Sequence, residues 1–256
     1  MSQYSLDIES GILLVAVGVL AGFLNVVGGG GSLLTLPVMI FMGLPPNIAN
    51  ATNRIAILWQ NVFAISKFRK EGVVEWKYSI WLGLAAVPGA LVGGWLAIDI
   101  KGEIFTKMLS IIMLVVGALI LIGSSPGKIE RAYNSGKKLW VGILAFFLIG
   151  IYGGFIHAGV GFVIILVLDK LMHAPMSRIN SVKVIAAFIY TLAVVVLFLF
   201  RNVINWQYGL TLAVGTSTGG WLGSYFSVKK GDKWIKALLF CAIVALSVKL
   251  WFYDQH

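Results

Sequence analysis

The sequence predicts an all-α polytopic membrane protein made of two inverted repeats. Each repeat is a broken, re-entrant half-helix pair followed by three transmembrane helices. Three observations carry this: long apolar runs, an internal duplication, and a one-sided distribution of basic residues. Apolar residues make up 59% of the 256 positions, charged residues only 12%, and the mean hydropathy is +0.93. Soluble domains carry about a quarter charged residues. The runs Ile104–Ile122, Ile179–Phe200 and Trp206–Ser227 meet the roughly 20-residue length that crosses a hydrocarbon core. They are continuously apolar rather than alternating, which excludes a transmembrane barrel.

The duplication appears as an offset of 129 or 130 residues held over whole halves, with a small gap near the start. "GEIFTKMLSIIMLVVGALIL" from Gly102 resembles "GDKWIKALLFCAIVALSVKL" from Gly231, an offset of 129. "VVEWKY" (from Val73) pairs with "VINWQY" (from Val203), and "ATNR" (from Ala51) falls over "NSVK" (from Asn180). "AGFLNVVGGGG" lies over "GGFIHAGVG", setting Asn25 against His157. The expected organisation is a first repeat over 1–122, a polar linker over 123–138, and a second repeat over 139–256.

Taken in order, the first run ends at "NVVGGGGSLL", Asn25–Leu34. Its continuation, Leu33–Met42, is ten residues, or about 15 Å of helix, too short to cross. Four consecutive glycines, Gly28 to Gly31, therefore read as a sharp turn between two half-helices. Such backbone survives at membrane depth only when protein covers it or it lines a water-filled cavity. A half-helix restarting near Ser32 aims free N–H groups and its positive dipole end at the turn, which suits an anion. The second repeat offers "IHAGVGF" from Ile156, with His157, Gly159 and Gly161. The first apolar run has no basic leader or cleavage pattern before it and is expected to be retained.

The next helix carries Asn50, Asn53, Arg54, Gln60 and Asn61 within about 120° of one face. Such a stripe must face protein or water rather than lipid. Its counterpart bears Asn180, Lys183, Tyr190 and Thr191 on one broader face. The remaining helices of each half are apolar, with Gly89, Gly93 and Gly94 expected as close-packing surfaces. Arg54 and Lys183 either contact an anion or snorkel from near the helix ends.

An odd number of five segments per half makes the repeats inverted. One side then collects fifteen of the twenty Lys and Arg; Arg54, Lys101, Lys107, Arg201 and Lys249 fall on the other. The positive-inside rule places the 123–138 linker in the cytoplasm and both termini outside. The net charge of +10 is thus explained by topology and argues against nucleic acid. Cys241 is the single cysteine, so no intramolecular disulfide can form.

The ten Asp and Glu residues all stand at or beyond the ends of apolar runs, which speaks against a buried carboxylate proton relay or a sodium cage. No GxxxxGK[ST] motif occurs, so no ATP chemistry is expected. The anion-binding set expected from these residues is Asn25, Gly28, Gly29, Gly30, Gly31, Ser32, Asn50, Asn53, Arg54, His157, Gly159, Gly161, Asn180, Ser181 and Lys183. His157 either donates or titrates. No metal or cofactor is expected, and an enzyme built on Ser32 and His157 lacks a carboxylate to orient the histidine.

"AGFLNVVGGGGSLLTLPVMI", "PPNIANATNR" and "GGFIHAGVGF", in this order and spacing, resemble the TauE/SafE (TSUP) family of sulfite and organosulfonate exporters. The resemblance runs from about Gly11 to Phe252. It implies a carrier of small sulfur-containing anions in the inner membrane, often in the export direction. Its expected partners are the anionic substrate and the bilayer. An anion channel on the same cavity, proton or ion coupling, and a homo-oligomer remain open.

Overall fold

The computed structural model describes residues 5–122, 136–229 and 243–252. Helices account for nearly all of them, and no strand occurs among the described residues. They are α1 (Ile8–Val27), α2 (Ser32–Phe41), α3 (Pro46–Lys70), α4 (Trp76–Ile98), α5 (Gly102–Ile122), α6 (Gly136–Phe155), α7 (Val160–Met172), α8 (Met176–Phe200), α9 (Trp206–Lys229) and α10 (243–251). Of the expected linker, residues 123–135 lie outside the described residues, and Gly136 to Lys138 open α6. Cys241 also lies outside them.

Local signals explain the boundaries. Asp7 caps α1, its carboxylate accepting the Ser10 N–H at 2.8 Å, and this hydrogen bonding holds its carboxyl below the usual carboxylate range. Pro45 and Pro175 precede α3 and α8 with near-identical backbone angles, φ −54 and ψ 140 against φ −55 and ψ 145. Proline suits that place because the first helical turn has no use for its missing N–H. Helix α2 has ten residues and α7 thirteen, about 15 and 20 Å, so neither crosses a core of about 30 Å. By length and composition α1, α4 and α8 do qualify as spans.

The bundle is polar inside and apolar outside. Asn50, Asn53, Arg54, Gln60, Asn61, Asn180 and Lys183 are buried, whereas Leu13, Trp59, Trp81, Trp95, Leu148 and Phe200 are exposed. Water would penalise that surface; hydrocarbon accepts it. The polar stripe makes α3 the least apolar of the long helices, and its expected inward orientation holds.

Small residues let the helices touch backbone to backbone. Gly18 lies against Leu212 and Gly215, and Gly223 against Phe23 and Val26, so α1 and α9 run in one direction. Likewise Gly89 meets Phe147 and Ile151 while Gly93 meets Ile151 and Phe155, which makes α4 and α6 parallel. Gly209 sits on Thr52 and Ile55, and Gly220 on Gln60, so α3 runs with α9. Gly83 on Ala186 and Gly94 on Val194 pair α4 with α8 in the same sense. The two groups oppose each other. Arg54 lies 6.0 Å from the Phe198 ring, and Ala64 and Phe68 cluster with Val184 and Ile185, so α3 and α8 are antiparallel.

Candidate functional site

The site begins with the two helix breaks. At the end of α1, the N–H groups of Gly28 and Gly29 both donate to the Leu24 carbonyl, at 2.8 and 3.0 Å. Gly29 then takes φ +88, a left-handed conformation that glycine adopts without a Cβ penalty. Gly31 packs on the Ala21 carbonyl and the Asn25 side chain, so the chain folds straight back along α1. Helix α2 restarts with Leu33 N–H donating to Gly30 O at 3.0 Å. In the other half α6 stops at Phe155, Gly159 takes φ +71, and α7 starts with Phe162 N–H donating to Gly159 O at 3.0 Å. The Tyr152 hydroxyl, one turn before the end of α6, donates to the Ala158 carbonyl.

The two turns meet. Gly29 lies directly against Gly161, and a Cβ on either would overlap the other's backbone. Residues 132 apart in sequence thus form one junction at the centre of the bundle.

Each break is held by a cation from the opposite half. Arg54 of α3 donates to the last carbonyls of α6: NH1 to Gly153 O at 2.5 Å and NH2 to Gly154 O at 2.8 Å. Asn50 supports it, accepting from Arg54 at 3.3 Å and donating to Phe155 O at 2.9 Å. Lys183 of α8 does the same for α1, its ammonium donating to Asn25 O at 2.9 Å and Val26 O at 2.7 Å. A helix end carries unsatisfied carbonyls and partial negative charge, and in hydrocarbon those carbonyls have no water to turn to. The basic side chains meet both needs. The ion pairs among the described residues, Lys67–Glu71, Glu103–Lys107, Glu75–Arg178 and Asp99–Arg201, all lie at helix ends and involve neither buried cation.

Beside the junction is a small cavity of about 10 Å³, room for about one water. Asn25, Gln60, Asn61, His157 and Lys183 form its polar wall; Val160, Ile164, Val184 and Ala187 form the apolar one, and Gly161 completes it. The Asn25 amide donates to Gln60 Oε1 at 3.1 Å, and Gln60 donates to Asn61 Oδ1 at 3.4 Å. Asn61 Nδ2 is buried without a partner. His157 Nδ1 lies 2.9 Å from Arg54 NH1 and 3.4 Å from the Tyr190 hydroxyl.

The expected site residues divide into groups. Asn25, His157, Gly161 and Lys183 border the cavity. Gly28 to Gly31 and Gly159 form the adjoining turns, while Arg54 and Asn50 stand behind His157 at the end of α6. Asn53 ties down the start of α2, donating to Ser32 Oγ at 3.0 Å and accepting from Thr35 Oγ1 at 2.8 Å. Asn180 reaches Val27 O at 3.4 Å and Ser227 Oγ at 2.8 Å, and Ser181 donates to Val73 O at 2.9 Å, so both are engaged outside the cavity. Gln60 and Asn61 lie on the predicted stripe yet were not assigned to the site. The stripe itself was the signal for them. Tyr152 carries no sequence signal, since its role depends on a turn six residues away.

Comparison with known proteins gives the family. Residues 14–250 match the family described as "Sulfite exporter TauE/SafE". A "Probable membrane transporter protein" of Haemophilus influenzae is 28% identical over 247 residues, covering 95% of this chain and 94% of that protein. "Probable membrane transporter protein ORF9" of a Sinorhizobium species is 26% identical over 93% of this chain and 90% of its own. "Probable membrane transporter protein YfcA" of Escherichia coli K12 is 25% identical, covering 95% and 90%. No solved structure matches. Matched over nearly its full length, the chain belongs to the TauE/SafE family of membrane transporters, described at family level as sulfite exporters.

Proposed function

We propose that the protein is a secondary transporter carrying a small sulfur-containing anion (sulfite, a sulfonate or a related oxyanion) across the inner membrane, in the export direction. It works by alternating access around the junction of the two breaks. The observation that carries this reading is the Gly29–Gly161 contact beside a small cavity bordered by Lys183, His157 and Asn61. There the starts of α2 and α7 converge with buried donors, an arrangement suited to an oxyanion.

The opposed directions of α3 and α8, and of the α1/α9 and α4/α6 pairs, support an inverted repeat over 1–122 and 139–256. So does the exchange of Arg54 and Lys183 between halves. Room for about one water is too little for sulfite, so the bundle must open to load it. That favours a carrier over a channel on the same cavity. The basic ends of α3 (Lys67, Arg69, Lys70) and the start of α8 (Arg178) lie on one side, which supports a cytoplasmic 123–138 linker and outside termini.

The test is counterflow of radiolabelled sulfite in proteoliposomes, alongside a thermal-shift panel of sulfite, sulfate, thiosulfate and sulfonates. A ligand of the folded state raises its stability. Saturable counterflow with a matching thermal shift is expected. Conductance without counterflow would make the protein a channel, and no response to any sulfur oxyanion would overturn the substrate class.

A further inference from the structure

We infer that Arg54 fixes His157 as the neutral imidazole protonated on Nε2, so that the ring is a standing hydrogen-bond donor to the cavity and does not carry a transported proton. The inference rests on the reading of that cavity as the anion site. Its physical basis is the chemistry of the two groups. A guanidinium has donors only, whereas an imidazole nitrogen donates or accepts according to its tautomer. Arg54 NH1 stands 2.9 Å from His157 Nδ1. Nδ1 must therefore present its lone pair, and the proton of the neutral ring falls on Nε2.

Arg54 has no freedom to reverse this. The Gly153 and Gly154 carbonyls and Asn50 Oδ1 pin its fork at 2.5, 2.8 and 3.3 Å. Two ionisable side chains reach the ring, Arg54 from α3 and Tyr190 from α8; Lys183 of α8 borders the same cavity, and Tyr152 of α6 donates to the Ala158 carbonyl. The Tyr190 hydroxyl, 3.4 Å from Nδ1, is a second donor facing the same lone pair. None of these groups is a carboxylate that could partner an imidazolium. His157 borders the cavity, and the two side chains that reach its ring, Arg54 and Tyr190, both stand at Nδ1. Arg54 thus acts on the ligand through His157, as a positioning residue. A proton accompanying transport, where there is one, travels on another group.

Nitrogen NMR on protein carrying ring-15N histidine in phospholipid vesicles tests this directly. His157→Gln identifies the resonances by their loss. The wild type is expected to show one N–H nitrogen, Nε2, and one lone-pair nitrogen, Nδ1, unchanged from about pH 6 to about pH 8, where a free histidine changes charge. Two N–H nitrogens, or a proton on Nδ1, would overturn the inference. Arg54→Gln should let a second tautomer appear, because an amide accepts as well as donates; an unchanged spectrum would remove Arg54 from the role. If that variant does not insert, the wild-type spectrum still decides. Added sulfite should shift Nε2. An unmoved Nε2 with the tautomer intact would sink the cavity as the anion site while leaving the Arg54–His157 assignment standing.

Discussion

Arg54 and Lys183 occupy equivalent places in the duplicated sequence, yet their chemistry is not interchangeable. Arg54 reaches four partners through a planar fork; Lys183 reaches two carbonyls and keeps one proton beside the cavity. A charged hydrogen bond of this kind is worth roughly 1.5–3 kcal/mol, and a buried carbonyl left unpaired costs about 1–3 kcal/mol. Lys183→Gln is expected to weaken sulfite binding by about ten- to a hundredfold. Arg54→Lys should lower the thermal midpoint more than Lys183→Arg, because a point charge cannot serve the end of α6 and His157 together. Binding isotherms and melting curves on purified variants check both. Equal affinity for wild type and Lys183→Gln would remove the lysine from the site. The presence of buried cations was legible in the sequence from their place in apolar runs without nearby acids. Their partners were not, because backbone carbonyls leave no mark in side-chain identity.

At the level of elements, the breaks were legible and their meeting was not. Four glycines in a row announce a turn, and a ten-residue apolar tail announces a half-helix. That Gly29 rests on Gly161 required both halves to be folded. Three substitutions separate the roles. Gly72 has φ +69 with open space around it, so Gly72→Ala meets only the left-handed penalty, about 1–2 kcal/mol. Gly161 lies within α7 without positive φ, so Gly161→Ala meets only the contact with Gly29. Gly29→Ala meets both. Transport is expected to survive Gly72→Ala and to be lost in the other two, with Gly29→Ala the least stable by thermal unfolding. Normal transport by Gly161→Ala would show that the close approach of the turns is dispensable.

For the whole molecule, topology is the property the sequence states most openly. If the chain has ten segments, fifteen of its twenty basic residues fall on one side, the asymmetry by which cytoplasmic loops are recognised. In a variant whose Cys241 is replaced by serine, cysteines placed within 123–138 should resist an impermeant thiol reagent on intact cells. Cysteines replacing Gln3 or Gln255 should react. Termini on opposite faces would end the inverted-repeat reading.

Composition, glycine placement and the period of polar residues are one-dimensional quantities, and by themselves they determined the membrane class, the breaks and the inward face of α3. Hydrocarbon enforces each on every span, whatever its neighbours. Tertiary structure alone decided that Arg54 secures α6 and Lys183 secures α1, that the glycine turns touch, and that the space beside them narrows to about 10 Å³. Those outcomes depend on which backbone lies across from which side chain. Antiparallel packing of α3 against α8 sets that relation, and no periodicity within one helix encodes it.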